Sequence, residues 1–190
     1  GDEIRVRPGV YYQSMHATRA GTAAARIRVV ADGPGVVLDG SDPALLRSSA
    51  WSAVGGGVYS IAYTGTTRLV CADSLQRLYR QASLADLQAN ANGVAQGWTD
   101  AGGKLYVKLE DGSSPAGHVM HVARYDIGVF LEASHWRVGG LEVRCFGTTA
   151  AAAGIDLREA GDCWIERNHV HTCAGYGIWM RVGAADNLVE

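Results

Sequence analysis

The sequence has little net charge, which argues against nucleic acids and anionic membranes as partners. Its 190 residues carry a formal charge of −2, and the pI is near 6.3, so no overall field attracts nucleic acid or an anionic membrane. Only two of the 17 basic residues are lysines, and we interpret the excess of arginine as genome composition rather than a nucleic-acid signature. No apolar run is long enough to span a bilayer. We therefore expect neither a nucleic-acid nor a membrane partner.

Several cofactor and nucleophile motifs are also missing. The four cysteines include no Cys-x-x-Cys pair, so no metal site is predicted. A P-loop, a dinucleotide fingerprint and a nucleophile elbow are absent, which argues against the enzymes built on those motifs. Aligning Val143 with Val170 brings Cys145 close to Cys173. This leaves two alternatives open, a disulfide in an oxidising compartment or buried free thiols.

What the sequence does contain is a repeat in its last third. The tetrapeptide Gly128–Leu131 (Gly-Val-Phe-Leu) returns as Gly154–Leu157 (Gly-Ile-Asp-Leu) and as Gly177–Met180 (Gly-Ile-Trp-Met). The steps between corresponding residues are 26 and 23. A second series of apolar residues recurs at steps of 27 and 23: Val138, Ile165 and Leu188. A unit this short cannot bury a core by itself, so neighbouring units must stack.

Each repeat opens with the alternation of a β-strand. In residues 155–158 (Ile-Asp-Leu-Arg) apolar and polar side chains alternate, which places them on opposite faces. Helical periodicity is absent from these units, and so is the regular Leu and Asn spacing of leucine-rich repeats. The pattern therefore predicts an all-β parallel β-helix with two or three short strands in each turn.

The same residues resemble the right-handed parallel β-helix repeats of pectate-lyase-like proteins. In that pattern Gly-Ile opens one strand, a Val or Ile lies in the next, and Asn-x-Val/Ile opens the third. Residues 163–171 (Cys-Trp-Ile-Glu-Arg-Asn-His-Val-His) and 187–190 (Asn-Leu-Val-Glu) fit it. The Asn168 side chain is expected to bond backbone in a turn rather than to act in catalysis.

The beginning of the chain resembles the opening coils of the same family. Residues 1–11 and 27–40 fit the pattern, with Ile4 and Ile27 again 23 residues apart. We predict β-helix coils over residues 1–40 and 124–190. Both ends fall inside the strand pattern, so we interpret the chain as a fragment of a longer protein. The resemblance implies a bacterial protein that is secreted or at the cell surface, with the periplasm as another location.

Residues 41–123 interrupt the coil pattern and predict a small β-rich insert. Alternating stretches flank Gly102-Gly103 as in a hairpin, and Ser83 with Asp86 forms a capping-box pattern. The insert ends in a turn, Asp111–Pro115, of a kind seen in bacterial members of the family. It is interpreted either as a structural flap or as a wall of a sugar cleft. The second interpretation uses four aromatic residues as stacking platforms: Trp51, Tyr59, Tyr63 and Trp98.

The candidate site lies among outward-facing side chains. Equivalent side chains of neighbouring strands stack in columns, and neighbours within one column are about 4.8 Å apart. The predicted catalytic residues are Glu132, Asp156, Arg158 and Arg181. The predicted substrate-binding residues are Phe130, Trp179, Arg144, His169 and His171. Acids, arginines and aromatic rings together suit an anionic sugar, because guanidinium binds a carboxylate in a fork and Trp offers a flat apolar face.

The family resemblance implies action on an acidic polysaccharide, by one of two reactions. In β-elimination a base takes the C5 proton of a uronic acid, and a cation (Arg, Lys or bound Ca²⁺) stabilises the carboxylate. Arg158, Arg181 or His171 would be the base. Hydrolysis needs two carboxylates facing across a sugar, for which Asp156 and Glu132 are the candidates.

No lysine lies on these coils, which departs from the Lys/Arg motif of the better-known alginate and chondroitin lyases. The alternative is a non-catalytic glycan-binding or surface-structural module, in which these charges form a solvated ion ladder. No cofactor besides Ca²⁺ is considered, and a monomer is expected.

Overall fold

A computed structural model describes residues 1–190, apart from the side chain of residue 92. Nearly all of its regular structure is β. The chain divides into two compact units, one made of residues 1–41 and 125–190 and the other of residues 42–124.

The strands follow one another in short segments along the chain. The first unit opens with β1 (Glu3–Val6), β2 (Gly9–Tyr11), β3 (Met15–Ala17), β4 (Ile27–Ala31) and β5 (Val36–Asp39). The second unit contains β6 (Ser52–Gly55), β7 (Val58–Ala62), β8 (Val70–Ala72), β9 (Gln76–Arg80), helix α1 (Leu84–Gln88), β10 (Gly97–Ala101), β11 (Lys104–Lys108) and β12 (Met120–Val122). The first unit resumes with β13 (Ile127–Leu131), β14 (Trp136–Gly139), β15 (Glu142–Arg144), β16 (Ala153–Arg158), β17 (Trp164–Glu166), β18 (His169–His171), β19 (Tyr176–Arg181) and β20 (Leu188–Val189). Short 3-10 turns lie at Ala91–Gly93 and Pro115–Gly117.

The first unit consists of three parallel sheets. Sheet I has the order β1-β4-β14-β17-β20, sheet II the order β3-β13-β16-β19, and sheet III the order β2-β5-β15-β18. From β13 onward the chain visits sheets II, I and III in turn, and each strand pairs in parallel with its counterpart from the previous circuit. This arrangement fits a parallel β-helix.

Inward-facing apolar side chains fill the space between these sheets. Val129, Ile155 and Ile178 are register partners on sheet II, as the repeat predicts. Val129 and Ile155 are fully buried in a core that also includes Val143 and Phe146. Each β-branched residue therefore packs against the equivalent residue of the next strand, which suits the pleated surface of a sheet.

Gly128, Gly154 and Gly177 lie at equivalent register positions, and the first two are closely surrounded. A Cβ on Gly154 would overlap Cγ1 of Val170 and lie 2.9 Å from the carbonyl oxygen of Gly177. A Cβ on Gly128 would meet the carbonyl oxygen of Gly154 at 2.5 Å. Packing therefore requires glycine at positions 128 and 154, whereas a Cβ on Gly177 would have its nearest neighbour 4.0 Å away.

Asparagine side chains join neighbouring circuits. Asn168 accepts a hydrogen bond from the Leu141 amide and donates one to the Val138 carbonyl, both at 3.0 Å. The prediction that Asn168 bonds backbone is thus confirmed. Asn187 makes the equivalent pair of bonds one sheet away, with the Cys163 amide and the Ala160 carbonyl.

Three details of the predicted repeat are wrong. Ile165 pairs with Val189 rather than Leu188, so the step is one residue longer than expected. Asn187 leads into β20 on sheet I and not into a third-sheet strand. Ile4 pairs with Val29 rather than Ile27. Leu188 matched the spacing because it is apolar and lies next to Val189, but period-two alternation faces it the other way. Ile27 lies two residues before Val29 on the same face of β4, so spacing and alternation alone do not choose between them.

The four cysteines are thiols that form no disulfide, so the Cys145–Cys173 disulfide is not present. Burial raises the pKa of Cys173 to about 11 and also raises that of Cys163. Of the two alternatives left by the sequence, thiols filling the interior are the one observed.

The second unit has one sheet of order β12-β8-β9-β10-β11-β7-β6. The pairing is antiparallel except between β9 and β10, and β10 and β11 form the predicted hairpin around Gly102-Gly103. Helix α1 begins at the predicted cap, where Ser83 accepts a hydrogen bond from the Asp86 amide and donates one to its carboxylate.

The aromatic residues of this second unit belong to its core. Trp98 is 1% exposed and Trp51 is 8% exposed, so the suggestion that these rings stack on a sugar is wrong. Tyr59 and Tyr63 are partly buried against the same cluster. Burial also raises the pKa of Tyr63 to about 12.

Candidate functional site

The outer face of sheet II carries a row of side chains that the parallel register aligns. His16 pairs with Phe130, Phe130 with Asp156, and Asp156 with Trp179. We call these four residues the sheet II row. Three of them form the predicted column, and His16 extends it by one strand.

A second row runs beside the first, at the ends of the same strands. Arg158 pairs with Arg181 in the register, and Glu132 follows directly after β13. Glu132 is held there by its backbone amide, which donates to the Ala17 carbonyl at 2.9 Å. The predicted acid above two arginines is therefore present.

Glu132 joins the two rows through a compact cluster. Its Oε2 is 2.7 Å from Nε2 of His16, and its Oε1 accepts a hydrogen bond from Arg158 at 3.2 Å. His16 also stacks on Phe130 with ring centroids 4.8 Å apart, and the Arg158 guanidinium lies 4.8 Å from the Phe130 ring centre. We call His16, Phe130, Glu132 and Arg158 the His16 cluster. Its polar side chains keep about a third to a half of their surface exposed.

Asp156 differs from the exposed acid that the sequence suggested. It faces away from the apolar core, but its side chain is 0% exposed, and Arg181 forms a two-pronged ion pair with it. Nε of Arg181 is 3.1 Å from both carboxylate oxygens. The hydrogen bond with Asp156 raises the pKa of Arg181 above its already high value. Arg181 therefore suits fixed positive charge better than proton abstraction.

Trp179 is partly covered by residues of its own strand. Its ring stacks on Tyr176 at 4.2 Å, and the Arg181 guanidinium lies 4.0 Å from the ring centre. Despite these two contacts, the Trp179 side chain is only partly buried. This arrangement is compatible with stacking against a sugar.

The remaining predicted binding residues lie on sheet III. Glu142 pairs with His169, and Arg144 pairs with His171. Oε1 of Glu142 accepts from Arg144 at 2.8 Å and is 3.2 Å from Nε2 of His171. Arg144 also donates to the buried Asp39 at 2.8 Å. The predicted residues thus form two groups on two different sheets.

Charge pairing governs the titration of the sheet III group. Burial acts to raise the pKa of Glu142, but the hydrogen bond from His171 and the charge of Arg144 hold it below its usual value. Burial likewise disfavours the charged form of Arg144, and the bond to Asp39 outweighs it and raises the pKa.

His16 is the site residue that sequence reasoning missed. It lies in β3, 114 positions before Phe130, and its strand has no Gly-Ile mark. The alternation Met15-His16-Ala17 was the available signal, because it places His16 outward between two inward apolar residues.

The geometry limits the chemistry available on sheet II. Hydrolysis by the Asp156–Glu132 pair requires both carboxylates to face a sugar, and Asp156 is occupied by Arg181. The His16 cluster instead offers an exposed imidazole that a carboxylate orients, with a guanidinium beside it. Such a group can accept a proton near an anionic substrate.

Comparisons with known proteins bear on the fold. No protein-family model matches the sequence, and no curated protein matches it either. A solved structure, XylC in complex with xylose, is similar with a TM-score of 0.62 at 17% identity. The similarity covers 88% of this chain and 35% of the XylC chain, so the chain spans about a third of that protein's length. At this identity the similarity supports a β-helix fold and no more.

No helix among the described residues is long and apolar enough to cross a membrane.

Proposed function

We propose that residues 1–41 and 125–190 are coils of a right-handed parallel β-helix in a carbohydrate-active protein that acts on acidic polysaccharides. The outer face of sheet II is the proposed binding surface. Similarity in fold to XylC, which was solved with xylose, supports a carbohydrate ligand. The protein is proposed to be secreted or at the cell surface, or in the periplasm, and to act as a monomer.

The observation that carries the proposal is the pairing of rings with guanidinium groups on one sheet face. Arg158 lies over Phe130, and Arg181 lies over Trp179. Aromatic faces pack on the apolar face of a sugar, and guanidinium binds its carboxylate. Both arginines are at the same register position of adjacent strands, which are about 4.8 Å apart.

The proposed reaction is β-elimination with His16 as the base. Neutral His16 accepts the C5 proton of a uronic acid, Glu132 orients the imidazole, and Arg158 stabilises the negative charge that develops on the substrate carboxylate. The electron pair of the broken C5–H bond forms the C4–C5 double bond. The C4–O bond breaks, and the leaving oxygen takes a proton from water. Arg158 supplies the cation in this scheme, and bound Ca²⁺ is the other proposed source.

The test is incubation of the chain with a panel of uronic-acid polymers while the absorbance of the unsaturated product is followed. His16→Ala is expected to abolish the rise, and Arg158→Ala is expected to reduce it strongly. Arg137→Ala is the matched control, because Arg137 makes a similar ion pair with Glu166 on sheet I. Addition of EDTA separates Arg158 from Ca²⁺ as the cation. An equal loss in all three variants would refute the assignment.

A non-catalytic glycan-binding or surface-structural role is the second candidate. It is favoured by the ion pairs, since Arg158 and Arg181 each already contact a carboxylate. If no unsaturated product and no new reducing ends appear, glycan binding that Trp179→Ala weakens would support this role instead.

A further inference from the structure

Sheet III carries a histidine and carboxylate cluster that the proposed function does not use. His169 and His171 are alternate residues of β18, so their side chains leave the strand on the same face. Glu142 on β15 is the register partner of His169. Strand geometry therefore brings two imidazoles and one carboxylate together without any loop.

The spacing of their ligand atoms matches a metal site. One nitrogen of each histidine and one carboxylate oxygen of Glu142 all lie within 4.8 Å of one another. Nε2 of His171 and Oε1 of Glu142 are 3.2 Å apart, and ligand atoms around a tetrahedral zinc ion lie about 3.3 Å apart. The third ligand, His169, lies within 4.8 Å of both, and its exposed side chain has room to adjust.

Neighbouring groups orient these ligands. Nδ1 of His171 is 3.0 Å from the Thr172 hydroxyl oxygen. A metal ion would replace the Nε2 proton that His171 directs at Glu142. Donation of the Nδ1 proton to the Thr172 oxygen would then hold the ring in place, which is the usual second contact of a metal-bound histidine. Arg144 fixes Glu142 at 2.8 Å and is itself bonded to buried Asp39, so its charge is shared between two carboxylates.

The donor set selects the kind of ion. Imidazole with one carboxylate suits Zn²⁺, Ni²⁺ or Co²⁺, whereas Ca²⁺ takes six to eight oxygen ligands. We propose that Glu142, His169 and His171 bind a divalent transition metal of the zinc class. Three protein ligands leave at least one position for water or for an oxygen of a sugar.

The competing explanation is an ordinary contact between His171 and Glu142, with His169 stacked on His171 at 4.3 Å. The two explanations differ in the role of His169. In a simple ion pair His169 is dispensable, whereas a metal site needs it as a ligand.

The experiment is a titration of the whole chain with Zn²⁺ by calorimetry and with Co²⁺ by visible absorption. One ion is expected to bind per chain, with the d–d bands of a nitrogen and oxygen site. His169→Ala is expected to weaken Zn²⁺ binding by more than roughly tenfold, because even changes next to the ligands cost 10–100-fold. Circular dichroism and thermal unfolding without metal check that this exposed substitution leaves the fold intact.

His16→Ala is the matched control, because His16 is also an exposed histidine paired with a glutamate, on sheet II. It is expected to leave Zn²⁺ affinity unchanged. Equal affinity in wild type and His169→Ala, or no binding in wild type, would overturn the proposal. Equal losses in His169→Ala and His16→Ala would show non-specific histidine binding and overturn it as well.

Discussion

The ion pair between Asp156 and Arg181 makes an asymmetric prediction about stability. Asp156 is 0% exposed and Arg181 is 22% exposed. Removal of Arg181 leaves a buried carboxylate without its partner. Removal of the Asp156 charge leaves a guanidinium that can reach water and still lie against Trp179. The two single substitutions should therefore differ in cost although they break the same contact.

The expected magnitudes follow from that difference in burial. Arg181→Ala should cost about 3–5 kcal/mol, the usual result of leaving a buried charge without its partner. Asp156→Asn keeps the volume and loses only charge-assisted hydrogen bonds, so it should cost about 1.5–3 kcal/mol. The double variant should be less destabilised than the sum of the singles, with a coupling of about 1–3 kcal/mol.

Urea unfolding of the four proteins measures these differences, with equal m-values as the check that the unfolded states are comparable. Arg137→Ala is again the control. Glu166, its partner, keeps 15% of its side chain exposed, so the loss should be smaller. A cost for Arg181→Ala equal to or below that of Asp156→Asn would refute the reasoning, as would strict additivity in the double variant.

Three other predictions test packing and titration. Gly154→Ala should destabilise the chain by about 1–3 kcal/mol through the close contacts described above. Gly117→Ala places its Cβ in open space and should change the free energy of unfolding by no more than about 0.5 kcal/mol. Urea unfolding midpoints of the two variants measure this difference. Cys173, whose pKa burial raises from 9.0 to about 11, should react with a thiol reagent about 100-fold more slowly than an ordinary cysteine, and labelling at the rate of the unfolded chain would contradict this. Hydrogen bonding from His118 holds the pKa of Asp73 below its ordinary value of 3.8. The ionised Asp73 therefore stabilises the folded state above pH 3.8, and this contribution is lost as the pH falls through the lowered pKa. Asp73→Asn should thus lower Tm at neutral pH by an amount that disappears on acidification, and a pH-independent difference would contradict it.

The parts of the fold that the sequence predicts are those with strict local rules. The alignment of Val129, Ile155 and Ile178 follows from alternation and from the glycine that precedes each of them, which packing requires in the first two repeats. The prediction of Leu188 as the partner of Ile165 is wrong because Leu188 and Val189 are both apolar, and only the pairing with the previous strand decides which one faces inward. Local pattern gives the period, and the register comes from contacts between strands.

The sequence predicts which side chains of the candidate site stack in columns, but it does not predict their burial or their contacts. Glu132, Arg158 and Arg181 line up because side chains in parallel strands stack. The ion pair of Asp156 depends on how the Arg181 side chain folds back towards it, which spacing does not encode. His16 joins the site from a strand far away in the sequence, so no local window includes both it and Phe130.

In the first unit the length of a connection between two strands does not affect the register of those strands, so the connections can accept inserted residues. The connection from β15 to β16 takes residues 145–152, whereas the equivalent connection from β18 to β19 takes only residues 172–175, and the ladder between these strands stays parallel and in step. Extra residues are thus absorbed outside the sheets. Thr149 is held by Asp126, the residue before β13. The exposed Ala150 and Ala151 that follow it are therefore the place to graft a recognition loop or a label next to sheet II.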